Sequence, residues 1–234
     1  MVIFFDIDNT LVDHIGSSKK GAEFLRQKYN LHKNKDIFYS SWDKVTGYYY
    51  DEYLAGKFTN TEQRRERIKT VFNRDMPDDE ADLYFAQYLK VYEDTWTLFD
   101  DVKPMLNKLS SSFKMGIITD GSKNQQEAKL KKTKIRNYFD VVLTADIANS
   151  AKPDPVFFKM ACMLANEQES KCWYIGDLLE KDAIGAANAG LNGIWLNRTG
   201  IIANHHLSEF NNLHQFSNFM LNNNPLTSNP NYSN

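Results

Sequence analysis

The stretch Met1-Val-Ile-Phe-Phe-Asp-Ile-Asp-Asn-Thr10 (MVIFFDIDNT) is a run of five apolar residues that stops at Asp6 and is followed two positions later by Asp8. A buried strand accepts the apolar run, whereas an ionised carboxylate at its end costs free energy unless positive charge stands nearby. In an extended segment residues i and i+2 point to one face, so Asp6 and Asp8 project together from the end of the strand. That is a place for a cation. A hard divalent ion such as Mg²⁺ takes oxygen ligands from carboxylates, water and phosphate, and would hold Asp6 ionised. A carboxylate there can also act as a nucleophile, with its neighbour giving a proton to a leaving oxygen and later activating water. A strand end closed by an Asx turn would use the same residues, so the pattern needs support from the rest of the chain.

Four further β-rich runs occur downstream: KMGIIT (114–119), DVVLT (140–144), CWYIGD (172–177) and GIWLN (193–197). Helical patterns separate them, and strands alternating with helices predict an α/β fold with a parallel sheet. Ser122 with Gln125 reads as a capping box, Asp154-Pro155 as a cap before a first-turn proline, and Gly190 as a helix stop. In such sheets ligands lie beyond the carboxyl ends of the strands, where Asp6, Thr119 and Asp177 fall.

Residues 15 to 95 carry no strand pattern and show helical spacing, as in Ile68, Val71 and Phe72 behind the capping box Thr59-x-x-Glu62. They are expected to form an all-helical insert. Its aromatic residues, among them Phe38, Tyr39, Trp42, Tyr48, Tyr49, Tyr50 and Tyr53, suit the core of a small bundle and equally a substrate-facing wall. RRERIK (64–69) reads as a solvated helix face, although an arginine there could meet an anionic substrate. The Asn-rich segment 222–234 is expected to be a loose tail.

The chain has 234 residues and a formal net charge of -2, which leaves no basic footprint for a nucleic-acid partner. Cys162 and Cys172 are too few for a disulfide framework, the first apolar run is too short for a signal peptide, and no run approaches membrane-spanning length. A cytoplasmic protein acting on small molecules is the expectation. The pair His205-His206 has no nearby third ligand and reads as solvent-exposed, while His14 stands where the insert begins.

GIITDG (116–121) ends a strand with Thr119, Asp120 and Gly121 at a helix N-terminus, whose N–H groups and dipole can receive phosphate. Lys152, in AKPDP, stands before a helix cap, where a point charge could neutralise phosphate oxygens and pair with Asp6. Asp177 lies at another strand end, and Asp182 follows five residues later on the next helix.

Taken in order, DIDNT, ITDG, AKPDP and IGDLLEKD resemble the four motifs of the haloacid dehalogenase-like hydrolase superfamily, over 1–14 and about 96–200. The helical insert is similar to the cap of its subfamily I phosphatases, and the core motifs look closest to the N-acylneuraminate-9-phosphatase and pyrimidine nucleotidase branches. The resemblance implies a Rossmann-like core over 1–14 and 96–221 with a helical cap at 15–95. It implies Asp6 as nucleophile and metal ligand, and Asp8 as acid and base with its backbone carbonyl on the metal. Thr119, Asp120, Gly121 and Lys152 would bind the phosphoryl group, Asp177 would complete a Mg²⁺ site, and Asp182 would support it from behind. The expected activity is Mg²⁺-dependent hydrolysis of a small phosphorylated metabolite through an aspartyl-phosphate on Asp6. A phosphomutase of the same superfamily, or a non-catalytic binding protein on the same fold, is the alternative.

Overall fold

The opening apolar run forms β1 (Val2–Phe5), all four residues of which are buried. In the computed structural model, which describes residues 1–223, β1 is one of six strands. The others are β2 (Lys114–Thr119), β3 (Val141–Thr144), β4 (Cys172–Gly176), β5 (Asn192–Leu196) and β6 (Ser208–Phe210). The order is β3-β2-β1-β4-β5-β6, and every pairing is parallel. Strand β1 sits inside the sheet, with Phe5 opposite Ile117 on one side and Ile175 on the other. Burial on both faces explains why VIFF is continuously apolar instead of alternating. Strand β6 escaped the sequence reading because Ser-Glu-Phe is three residues long and largely exposed, too short for any periodicity.

Residues His14–Thr97 form a separate compact unit. It contains α1 (His14–Tyr29), α2 (Lys35–Leu54), α3 (Asn60–Phe72) and α4 (Asp78–Asp94). The Thr59/Glu62 capping box opens α3 with both reciprocal hydrogen bonds. Phe38 and Trp42 are core residues, and the Trp42 ring lies 4.6 Å from that of Tyr88, whereas Tyr48 is exposed. RRERIK is not the solvated face its charge pattern suggests. Arg67 is buried, with its guanidinium over the rings of Trp42, Phe85 and Tyr88. Contact with these rings offsets part of the desolvation of the cation, an effect that charge patterning does not reveal. His14 is tied within this unit, its Nδ1 lying 2.8 Å from the Tyr92 hydroxyl.

The other unit comprises Met1–Asp13 and the chain from Leu98 onward. Its helices are α5 (Val102–Leu109), α6 (Lys123–Lys132), α7 (Ala145–Ala148), α8 (Pro155–Leu164), α9 (Gly185–Asn188) and α10 (Leu213–Asn222). One core cluster joins Phe4 and Tyr174 of the sheet to Phe157, Phe158 and Ala161 of α8. Phe5 meets Phe139 and, on α10, Phe216 edge-on at 6.1 Å. Asp154 caps α8 through the Val156 N–H ahead of Pro155, and Gly190 follows α9 at φ +94°. The Ser122 capping box is not formed. Ser122 occupies the N-cap position of α6 without a side-chain cap bond, and the carboxylate of Asp146 takes the Lys123 N–H at 3.0 Å. Cys162 and Cys172 are free and buried. His205 is not solvent-exposed either: its ring lies edge-on to Trp195 at 5.2 Å, with Nε2 3.1 Å from Glu209. Of the segment 222–234, Asn222 ends α10 and Asn223 caps it; the remainder lies outside the described residues. Among the described residues no helix is long and apolar enough to cross a membrane.

Arg198, after β5, fastens the return of the chain from the helical unit. It donates to both oxygens of Asp101 at 2.8 and 2.9 Å and to the Thr10 carbonyl at 2.9 Å, and its guanidinium lies 4.1 Å from the Phe99 ring centroid. Burial pushes the Asp101 carboxyl up, but Arg198 and the Leu213 N–H outweigh it and hold its pKa below the usual range. Arg198→Ala is expected to cost about 3 kcal/mol in urea denaturation, the lower end for one partner of a buried pair because Arg198 keeps some exposure. With its pKa depressed in the folded state, Asp101 stabilises the fold above the ordinary carboxylate pKa. That contribution fades as the pH falls through the folded value, so the deficit of Arg198→Ala should shrink in acid.

Candidate active site

The parallel sheet delivers its functional residues at one edge. Asp6 directly follows β1 and is 4 % exposed, with its N–H bonded to the Ile175 carbonyl at 3.0 Å. Thr119 ends β2, Asp177 follows β4, and Lys152 lies between α7 and α8. Lys152 Nζ donates to Asp6 Oδ1 at 2.7 Å, to Asp182 Oδ1 at 2.7 Å and to the Tyr174 hydroxyl at 3.2 Å. Its backbone N–H is held by the Asp120 carboxylate at 2.9 Å, so Asp120 braces the loop that presents the ammonium.

Tyr174 is the residue of this cluster that the sequence reading missed. Its hydroxyl lies 3.0 Å from Asp182 Oδ1 and 3.1 Å from the Ile118 carbonyl, two acceptors for its one proton, under complete burial. The signal was available: a tyrosine inside a strand buried on both faces brings a hydroxyl that must find partners there.

Carboxylate oxygens of Asp6, Asp177 and Asp182 come within 4.8 Å of one another. Asp182 sits in a π-helical turn, Leu179–Ile184, that folds its fully buried side chain back under the end of β4. Its Oδ2 accepts the Leu178 N–H at 2.9 Å. A Cβ on Gly176 would stand 2.3 Å from the same oxygen, so only glycine lets strand and carboxylate approach this closely. Asp8 does not join the trio. Its carboxylate turns to α6, where the Lys129 ammonium pairs with Oδ1 and Gln126 Nε2 donates to Oδ2 at 2.8 Å. Gln126 Nε2 also lies 3.2 Å from Thr119 Oγ1. Neither α6 residue was singled out from the sequence. The first amide of α6 is taken by Asp146, and the Gly121 N–H, before the helix, donates to Thr119 Oγ1 at 3.4 Å at the end of β2.

The electrostatics follow from this crowding. Burial raises the Asp6 pKa well above its ordinary value; Lys152 opposes this, and Asp182, Asp177 and Asp8 add to it. Burial by itself would depress Lys152, but Asp182 and Asp6 outweigh it and hold its pKa well above the usual lysine value. Burial and then Asp182 push Asp177 up to about 7, and burial also raises Asp120. Lys152 thus serves Asp6 and Asp182 with Asp177 and Asp120 close by, more acids than one ammonium can balance.

Four strand and loop ends meeting in this way match a known family, and the profile of the haloacid dehalogenase-like hydrolases covers residues 1–190. The chain belongs to the haloacid dehalogenase-like hydrolase family. Human N-acylneuraminate-9-phosphatase is 29% identical over 211 residues, covering 86% of this chain and 84% of that protein. The pyrimidine 5'-nucleotidase YjjG of Escherichia coli is 28% identical over 196 residues, covering 83% of this chain and 85% of its own. Among solved structures, the haloacid dehalogenase-like hydrolase YfnB of Bacillus subtilis bound to magnesium superposes with a TM-score of 0.82 over 94% of this chain and 97% of that one. At 20% identity this likeness speaks to the fold alone.

Removing the ammonium tests how much the cluster leans on it. Lys152→Ala leaves the buried Asp6 and Asp182 unpaired and is expected to cost about 3–5 kcal/mol in chemical denaturation. The deficit should be smallest in acid, where Asp6 is buried neutral, and should grow as the pH rises through its raised pKa.

Proposed function

We propose that the protein is a Mg²⁺-dependent phosphomonoesterase acting on a small phosphorylated metabolite. The observation that carries this reading is a nearly buried carboxylate, Asp6, held by Lys152 at 2.7 Å beside a second acid, Asp8, and the Thr119 hydroxyl at the neighbouring strand end. The phosphatase and nucleotidase names of the relatives point the same way.

The chemistry assigned to these residues is two displacements at phosphorus. An oxygen of Asp6 attacks, the bond to the leaving oxygen breaks with its electron pair, and Asp8 supplies the proton that this oxygen takes. Water then attacks the aspartyl-phosphate, giving its proton to Asp8 and returning the electron pair of the broken bond to Asp6. The Thr119 hydroxyl and the backbone N–H groups of Asp120 and Gly121 face the phosphoryl oxygens, and Lys152 offsets the charge gathered there.

The donor set suits a hard divalent cation. Asp6 and Asp177 offer carboxylate oxygens whose pKa values are raised by burial and by neighbouring acids, a deficit of positive charge that such an ion would remove. Asp6, Asp177 and the backbone carbonyl of Asp8 would hold it. Asp182, whose oxygens are occupied by Lys152, Tyr174 and Leu178, would orient the cluster. Bound Mg²⁺ supplies charge neutralisation of the transferring phosphoryl group.

Phosphate release from nucleoside monophosphates, sugar phosphates, N-acetylneuraminate 9-phosphate and an aryl phosphate should require Mg²⁺ and fall to background in Asp6→Asn. Turnover by Asp6→Asn comparable to wild type would exclude the nucleophile assignment. Transfer of the phosphoryl group to a sugar in place of water would mark a mutase. Without divalent cation, protonated Asp177 stabilises the fold at acid pH, and this contribution is lost as the pH rises from the ordinary carboxylate range through about 7. Thermal unfolding in EDTA should show that decline, and Mg²⁺ should abolish it.

A further inference from the structure

Helix α6 buries Gln126, Lys129 and Leu130, so two of the three side chains on its inner face are polar and one of these is charged. Gln126 and Lys129 are both 0 % exposed and three residues apart, on one face of the helix. Burial of an ammonium is costly, and an apolar residue of similar length would serve packing as well or better. What these side chains do is hold Asp8. Lys129 pairs with one carboxylate oxygen and Gln126 donates to the other at 2.8 Å, while the same amide nitrogen lies 3.2 Å from Thr119 Oγ1.

Two details single out the amide. Gln126 Oε1 is buried without a hydrogen-bond partner, so the orientation that puts the NH₂ group on Asp8 and Thr119 leaves its other end unsatisfied. The reversed orientation would set a carbonyl oxygen against the carboxylate. A Cβ on Gly121 would stand 1.9 Å from Gln126 Nε2, so the glycine of the TDG turn makes room for that nitrogen.

We propose that Gln126 and Lys129 are positioning residues that fix the Asp8 carboxylate for its transfer of the water proton, with Gln126 holding it in register with the phosphoryl-binding hydroxyl of Thr119. This rests on the reading of Asp6 as nucleophile and Asp8 as base. In the step concerned, water oxygen bonds to phosphorus, the bond from phosphorus to Asp6 breaks with its electron pair going to Asp6, and the water proton goes to Asp8. Misplacing a base by an ångström costs about 100-fold in rate.

The test uses 4-nitrophenyl phosphate, whose leaving group departs without a proton, in pre-steady-state mixing experiments with Mg²⁺. Lys129→Met and Gln126→Leu should keep a rapid burst of nitrophenolate and lose about 100-fold in the slow phase that follows, as phosphoenzyme accumulates. The isosteric Gln126→Glu, which sets a carboxylate against Asp8, should do the same if Gln126→Leu folds poorly. Rates normalised to burst amplitude are independent of the folded fraction. A slow phase unchanged after that normalisation would overturn the proposal and leave the two residues a structural role. Asp6→Asn should have no burst, and Asp8→Asn should have a burst with a slow phase reduced at least as far. If Asp8→Asn shows that behaviour and the α6 variants do not, the inference fails while the Asp8 reading stands. If Asp8→Asn does not, the reading fails and the inference with it.

Discussion

The buried ammonium of Lys152 organises the acids Asp6 and Asp182 at the carboxyl edge of the sheet. Lys152 touches Asp6, Asp182 and Tyr174 at once, and each contact is under 3.3 Å. An ionised carboxylate placed there alone would shed its charge by taking up a proton. With the ammonium in contact, Asp6 and Asp182 are held in fixed directions and the Tyr174 hydroxyl closes the ring of contacts between them. The brace extends outward, since Asp120 fixes the Lys152 backbone and the close approach at Gly176 fixes Asp182.

Polarity in buried places recurs in this chain. The inner face of α6, the guanidinium of Arg67 among aromatic rings, and the Arg198–Asp101 pair all accept desolvation that an apolar core would avoid. Natural sequences break the local rules of burial at sites that do something and make up the difference elsewhere. In this chain the compensation is the apolar sheet, where β1 and much of its neighbourhood are fully buried.

The sequence was most informative where one residue type fits one task. A parallel α/β sheet was legible because five apolar runs alternate with helical patterns, and the carboxylates at their ends fell at one edge because parallel strands place their carboxyl ends together. Gln126 and Lys129 were not legible. Each acts through a partner more than a hundred residues away, and nothing local distinguishes a buried lysine from a solvated one. Ser122 shows the opposite failure, a local capping signal whose side-chain bond is not made, while Asp146, distant in sequence, takes the first amide of the helix.

The strand order carries a consequence for the order of assembly. Strand β1 takes its partners from segments beginning at Lys114 and Cys172, while the helices of His14–Thr97 find theirs close by in sequence. During synthesis the helical unit can complete its contacts while β1 is still an unpaired apolar ribbon, and loop closure over such separations is slow. The segment that bears Asp6 is made before the strands that enclose it and must wait for them. Its exposed interval, rather than the folded state, is where this chain is most open to chaperone capture and to aggregation.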